Sequence, residues 1–240
     1  MGTNYSGFQV QDNANTIQSE VEKALSVLFR VPFQLTGSSR TDAGVHALQN
    51  FFHFDTGREI SGKVIYNLNA VLPPDISAKA IYSVTDEAHS RFDACSRTYR
   101  YIVYRVKDPF LKDRAYYYPF KLDFEMLSTT AGIIISETDF VSFSKRNTQV
   151  KNFVCSVEMA GWTNEGDHLI FTIRANRFLR GMVRGLVGTM LKTGRGFLSV
   201  SDFQKIFELR DCRYADFSAP AHGLFLQQVE YPAGLLYKLN

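Results

Sequence analysis

One carboxylate stands out by its neighbours. Arg40-Thr41-Asp42-Ala43-Gly44-Val45-His46-Ala47 puts Asp42 in a short, glycine-punctuated turn, two residues after an arginine. Apolar-rich segments flank it, Val31-Pro32-Phe33-Gln34-Leu35 before and Phe51-Phe52-His53-Phe54 after. An aspartate in a turn commonly caps nearby backbone N–H groups. The same carboxylate beside a substrate can act as nucleophile or base, or stabilise positive charge as it develops. Gly44 permits close backbone approach at that point. Ser38 or Ser39 with His46 and Asp42 would imitate a hydrolase triad, but no nucleophile elbow surrounds either serine. The five histidines show no metal-ligand spacing such as H-E-x-x-H.

Positive charge is unevenly spread, although the net charge is only +3. From Phe171 to Gly196 the chain carries Arg174, Arg177, Arg180, Arg184, Lys192 and Arg195, and no acidic residue. A second run, Arg97, Arg100, Arg105, Lys107, Lys112 and Arg114, is diluted by Asp108 and Asp113. Two such runs suit a surface that follows a phosphate backbone. Gly194-Arg195-Gly196 is no phosphate loop, since it follows a helix and lacks the remaining glycine and lysine. No nucleotide or metal cofactor is implied.

The elements that must position these groups alternate between helix and strand. Ile17, Val21, Ala24, Leu25 and Leu28 predict an amphipathic helix over 15–30, capped by Asn15 or Thr16. Strands are expected near 33–37, 46–55, 76–84 and 97–106, with a helix at 60–70 that ends before Pro73-Pro74. A helix at 123–136 precedes a hairpin of strands 152–163 and 167–174, joined by Asn164-Glu165-Gly166. Phe178 to Lys192 reads as a helix with Arg177, Arg180 and Arg184 on one basic face. A further helix at 199–209 and a strand at 224–231 complete an α+β pattern with a large mixed sheet. The order at 167–192 and after it echoes the order around 15–54. Two halves result, 1–108 with the Asp42 turn and 109–240 with the basic helix.

The 240 residues are 45% hydrophobic and 21% charged, an ordinary globular balance. The three cysteines form no C-x-x-C pair, which argues against a disulfide framework or zinc cage and fits a reducing compartment. No signal peptide or membrane-spanning run is evident, so a cytoplasmic protein is expected.

The turn resembles a signature of the tRNA pseudouridine synthase A family, whose motif contains Arg-Thr-Asp and Gly-Val-His. Ser96-Arg97-Thr98-Tyr99-Arg100-Tyr101 resembles its second motif, and Phe178-Leu179-Arg180-Gly181-Met182-Val183-Arg184-Gly185 its third. Thr3-Asn4-Tyr5-Ser6-Gly7-Phe8-Gln9, Asn69-Ala70-Val71-Leu72-Pro73, Asp139-Phe140-Val141-Ser142-Phe143 and Gly223-Leu224-Phe225-Leu226 extend the likeness along the chain. Ser39 and Phe8 stand where the family usually has Gly and Trp.

The resemblance implies that Asp42 is catalytic. It implies that Arg40 helps hold the target nucleotide out of its stack, Tyr99 stacks on the uracil, and Arg184 pairs with the Asp42 carboxylate. Arg177 and Arg180 are then candidates for phosphate contacts, and Tyr101 for the core. It further implies a pseudouridine-synthase fold of two pseudo-repeated halves, with a mostly antiparallel sheet and flanking helices. The strand that family members carry before Gly2-Thr3-Asn4-Tyr5 is expected to be missing. The implied reaction isomerises uridine to pseudouridine in the tRNA anticodon stem-loop, at positions 38, 39 and 40, by a homodimer without cofactor. A non-catalytic RNA-binding protein of the same fold is the alternative, opposed by the joint presence of Asp42, Tyr99 and Arg184. A hydrolase using Asp42 and His46 is more distant.

Overall fold

The first helix starts where the sequence supplies a cap. In the computed structural model, which describes residues 1–146 and 150–239, Thr16 Oγ1 accepts from the Ser19 N–H while Ser19 Oγ accepts from the Thr16 N–H. Helix α1 (Ile17–Phe29) then turns Val21, Ala24 and Leu25 inward and closes at Arg30 in the left-handed region. The chain gathers into two compact units, Met1–Cys95 with Gln228–Asn240, and Ser96–Gln227.

The first unit continues through β1 (Thr36–Gly37), β2 (His46–Ala47), β3 (Phe52–His53), α2 (Val64–Val71) and β4 (Tyr82–Ser83). These strands are much shorter than the stretches predicted at 33–37, 46–55 and 76–84. A strand lasts only as long as its ladder has a partner. β1 and β3 pair antiparallel through Thr36↔His53 and Gly37↔Phe52. Elsewhere in the predicted stretches the backbone bonds to side chains instead: the Leu35 N–H, just before β1, goes to Glu22 Oε1 and the Ala78 N–H, before β4, to Asn69 Oδ1. Helix α2 stops at Leu72, whose extended dihedrals suit the proline that follows. α1 and α2 pack together over Val21, Ala24, Leu25, Leu35, Leu68 and Leu72, with Phe33, Phe52 and Phe54 alongside.

The second unit contains β5 (Ser96–Tyr104), β6 (Tyr116–Tyr117), α3 (Phe124–Ser136), β7 (Val157–Glu165), β8 (His168–Ala175), α4 (Met182–Gly194) and α5 (Val200–Leu209). Strand β9 (Leu224–Glu230) begins there, and its last three residues belong to the first unit, which ends with β10 (Tyr237–Lys238). In the second unit the strand order is β9-β5-β8-β7, with β6 beside β5. β8 is antiparallel to both β5 and β7, whereas β6 is parallel to β5. Among the described residues, five α-helices and a mixed sheet make up the α+β pattern expected.

Alternation decides which sheet face is buried. Tyr101, Val103, Phe171 and Ile173 are solvent-free and share one face, with the buried Trp162 opposite Phe171. α3 packs on β7 and α4, and the Trp162 indole N–H points at Met190 Sδ, 3.4 Å away. Beside them Phe140, Phe143, Phe203 and Phe207 form an aromatic cluster with ring separations of 4.7 to 6.0 Å. Among the described residues no helix is long and apolar enough to cross a membrane.

The basic helix requires a correction. It runs from Met182, not Phe178, because Gly181 at φ +74° takes the N-cap position and begins a new chain direction. Arg177 and Arg180 therefore precede the helix and share no helical face with Arg184.

Candidate active site

Asp42 sits near the tip of a loop whose base is the β1–β3 ladder. Below it Asn50 staples the two arms: Ser38 Oγ donates to Asn50 Oδ1 at 2.7 Å, and Asn50 Nδ2 donates to Ser39 O at 3.1 Å. The Ser38 N–H adds a bond to Phe51 O at 2.8 Å. At the tip the Val45 N–H donates to Asp42 O at 3.2 Å, and Gly44 stands at φ +77°. Gly44 thus fills the third position of a four-residue turn, where a type II turn needs positive φ. Asp42 is the first residue of that turn and is half-buried, while Arg40 is exposed.

The opening residues of the chain form a backbone cradle for this loop. The Phe8 N–H donates to Thr41 O at 3.1 Å and the Gly44 N–H to Tyr5 O at 3.3 Å. Gly7 lies at φ +102°, and a Cβ there would stand 2.8 Å from Thr41 O. The Gly2 N–H donates to Nδ1 of the buried His46 at 2.9 Å, which leaves the ring proton on Nε2. Tyr5 Oη donates to Asp75 at 2.5 Å, and Asn4 Nδ2 donates to the same carboxylate. Burial and then the Asp75 hydrogen bond push the Tyr5 phenol well above its usual range. Burial would raise Asp75, but the hydrogen bonds from Tyr5 and Asn4 outweigh it and hold the carboxyl below its ordinary value.

In the second unit Tyr99 is buried on β5, opposite Ile173, with its ring edge-on to Phe178 at 4.9 Å. Arg184 lies in the first turn of α4, half-buried, and its Nε donates to Ala219 O at 2.6 Å. The neighbouring Tyr101 is fully buried and donates to Pro220 O at 2.8 Å. Burial raises its phenol, and the Arg184 charge partly opposes the rise. Burial lowers His222, with Asp113 and the Ala115 backbone pulling it back up and Arg184 adding to the fall. Arg184, Tyr101 and His222 are thus gathered around the 219–222 segment.

The four residues singled out in sequence divide between the units, Arg40 and Asp42 in the first, Tyr99 and Arg184 in the second. Tyr101 is core, as read. The basic runs are partly structural: Arg97 is buried and donates to Asn176 O, and Arg174 pairs with Glu158 at 2.9 Å. Tyr5, Gly7 and Phe178 lie in stretches that carry the family resemblance but had no role assigned from sequence, and Asp75 and the Ala219 carbonyl had no sequence signal at all. Gly7 was visible as a glycine near an apolar aromatic, but its use as a backbone contact has no sequence pattern of its own.

Comparison with known proteins places these features in a family. A model of "tRNA pseudouridine synthase" matches residues 1–93 and 135–232. A tRNA pseudouridine synthase A of Parabacteroides distasonis is 47% identical over 236 residues, covering 98% of this chain and 94% of its own. Proteins of the same name from Bacteroides fragilis and Bacillus licheniformis are 45% and 40% identical, covering 96% and 94% of this chain and 93% of each of theirs. The Asp42 turn, the Tyr99 strand and the Arg184 helix all fall inside the aligned length of these relatives or the matched segments. This chain belongs to the tRNA pseudouridine synthase family.

Proposed function

We propose that this protein isomerises uridine to pseudouridine in tRNA, at positions 38, 39 and 40 of the anticodon stem-loop, as an intramolecular transferase that needs no cofactor. The observation that carries the reading is the Asp42 turn: a carboxylate at the head of a glycine turn, braced by the opening backbone and by Asn50. The reaction breaks the N1–C1′ bond of the nucleotide, turns the freed uracil and joins its C5 to C1′. The C5 proton leaves and N1 regains one, so the product has the atoms of the substrate. Both bond changes occur at one face of the ribose. A single fixed carboxylate serves there as nucleophile or base and stabilises charge at C1′.

Each motif residue has a role in this reading. Tyr99 offers a ring already braced by Phe178, against which an unstacked uracil can lie. Arg184 has its Nε on Ala219 O, and in this reading its guanidinium is the partner that orients the catalytic carboxylate of Asp42. Exposed Arg40 occupies the space of the displaced nucleotide, and Arg177 and Arg180 contact phosphates. The half 1–108 carries the catalytic turn and the half 109–240 the basic helix, as two pseudo-repeats of the pseudouridine-synthase fold. Two copies of the chain act together on one tRNA in the cytoplasm.

Incubation with unmodified tRNA transcripts, followed by carbodiimide–primer-extension mapping, tests the proposal. Pseudouridine at positions 38–40 with wild type, and none with Asp42→Asn, is the expected result. Product from Asp42→Asn at the wild-type rate would remove Asp42 from the chemistry. Tight tRNA binding without product from either protein would favour a binding module of the same family.

A further inference from the structure

The Gly194-Arg195-Gly196 stretch is no phosphate loop, yet it sets its arginine in a defined place at the end of α4. α4 ends in a Schellman cap: the Gly196 N–H donates to Thr193 O at 2.8 Å and the Phe197 N–H to Lys192 O at 3.0 Å, with Gly196 at φ +80°. Gly194 O takes the Asp123 N–H at 2.8 Å, tying the corner to the start of α3. This fixed corner sets Arg195 against aromatic rings. Its guanidinium carbon lies 3.8 Å from the Phe120 ring centre, 4.6 Å from that of Phe197 and 6.0 Å from that of Tyr118. With Lys192 and Asp216 they line a cavity of about 240 Å³ within the second unit.

The two cations of this cavity are not equivalent. Lys192 is already paired with Asp216 at 3.1 Å. Arg195 is half-buried and, among the described residues, its side chain makes no hydrogen bond or ion pair. A helix C-terminus favours a cation through its dipole, which accounts for a positive charge here. It does not account for two aromatic rings left at the surface around that charge, Phe120 46% and Phe197 66% exposed. Stacking occupies the faces of a guanidinium and leaves its edge N–H groups, a planar fork that matches a phosphate. An exposed ring beside a bound phosphate offers a stacking surface to any base.

We propose that Arg195, packed over the rings of Phe120 and Phe197, forms an RNA-binding subsite that takes one backbone phosphate on the guanidinium edge and a base against the exposed face of Phe197. The subsite rests on RNA being the substrate, and it stands apart from the residues assigned to the chemistry.

Fluorescence anisotropy of labelled tRNA transcript, titrated across salt concentrations, tests it on the full chain. Arg195→Gln should weaken binding about tenfold at low salt. The slope of log affinity against log salt should become shallower by about 0.9. Phe197→Ala keeps the charge, so it should weaken binding by about fivefold to tenfold with the slope unchanged. Turnover assays should show a raised KM and an unchanged kcat in both variants. Wild-type affinity and slope in Arg195→Gln would overturn the proposal. Should Arg195→Gln not fold, Arg195→Lys replaces it: slope retained with several-fold weaker binding supports the subsite, and wild-type affinity in both Arg195→Lys and Phe197→Ala overturns it. Asp42→Asn separates the two readings, since loss of product at wild-type affinity concerns catalysis alone. Weakened binding by Arg195→Gln in a protein that forms no pseudouridine would leave the subsite standing and the catalytic reading fallen.

Discussion

The Asp42 loop and the Tyr99–Arg184 region are built by different means. The loop has two-residue strands, and its shape is set by backbone bonds to Tyr5, Gly2 and Phe8 and by the Asn50 staple. Tyr99 and Arg184 stand on a nine-residue strand and a thirteen-residue helix, over a core of fully buried Tyr101, Phe171, Leu186 and Met190. A hydrogen-bonded loop can be displaced by one bad contact without disturbing the rest. A packed core spreads any disturbance through the whole unit. Substitutions in the loop should therefore cost activity first, and substitutions under Tyr99 and Arg184 should cost stability first.

The sharpest test is Asp42→Asn, expected to lower pseudouridine formation by roughly 10³-fold or more, with the thermal midpoint and tRNA affinity unchanged. Next is Phe171→Ala, which empties a solvent-free site and should cost about 3–5 kcal/mol, a fall of roughly 10 °C in the melting midpoint. Below the transition its kcat should stay within a few-fold of wild type. A selective loss of kcat there would break the contrast.

Gly7→Ala probes the cradle from the other side. The left-handed φ and the nearness of Thr41 O predict about 1–3 kcal/mol of local strain. That strain should appear as a tenfold to hundredfold loss in kcat, because small misplacements of a reacting group are costly. A lower melting midpoint with unchanged kcat would show that the cradle does not position Asp42. The smallest effect is expected from Tyr5→Phe, about 1 kcal/mol at neutral pH. Asp75 is held below its ordinary value in the folded protein, so its stabilising contribution is complete above pH of about 4. It is lost as pH falls through the depressed folded value. The difference between wild type and Tyr5→Phe should therefore shrink in acid, as chemical denaturation at a series of pH values would show.

The amphipathic helices were legible because their signals are local. The Thr16 cap, the stop before Pro73 and the Asp123 start of α3 each lie within a few residues of what they control. Strand extents were not legible in the first unit, because a ladder ends where its partner leaves, and the partner is distant in sequence. The phasing of Arg177, Arg180 and Arg184 failed for a related reason. Three-residue spacing cannot reveal that Gly181 turns the chain before the helix begins. Arg195 gave a weaker signal still, since two of its rings, Tyr118 and Phe120, come from a distant, earlier stretch of the chain.

By itself the sequence marked the side chains proposed for the chemistry, Asp42 in its turn foremost, because a candidate reactive group and its immediate turn are encoded contiguously. It also fixed the helix that buries Leu25, through spacing and its Thr16 cap. Only the tertiary structure decided that the first eight residues brace the Asp42 loop, and that residues from Gln228 onward return to the unit in which that loop lies. Only there do Phe120 and Phe197 close on Arg195. Apart from Phe197, which is near Arg195 in sequence, those contacts join backbone and rings far apart in the chain, so they depend on packing that no local pattern records.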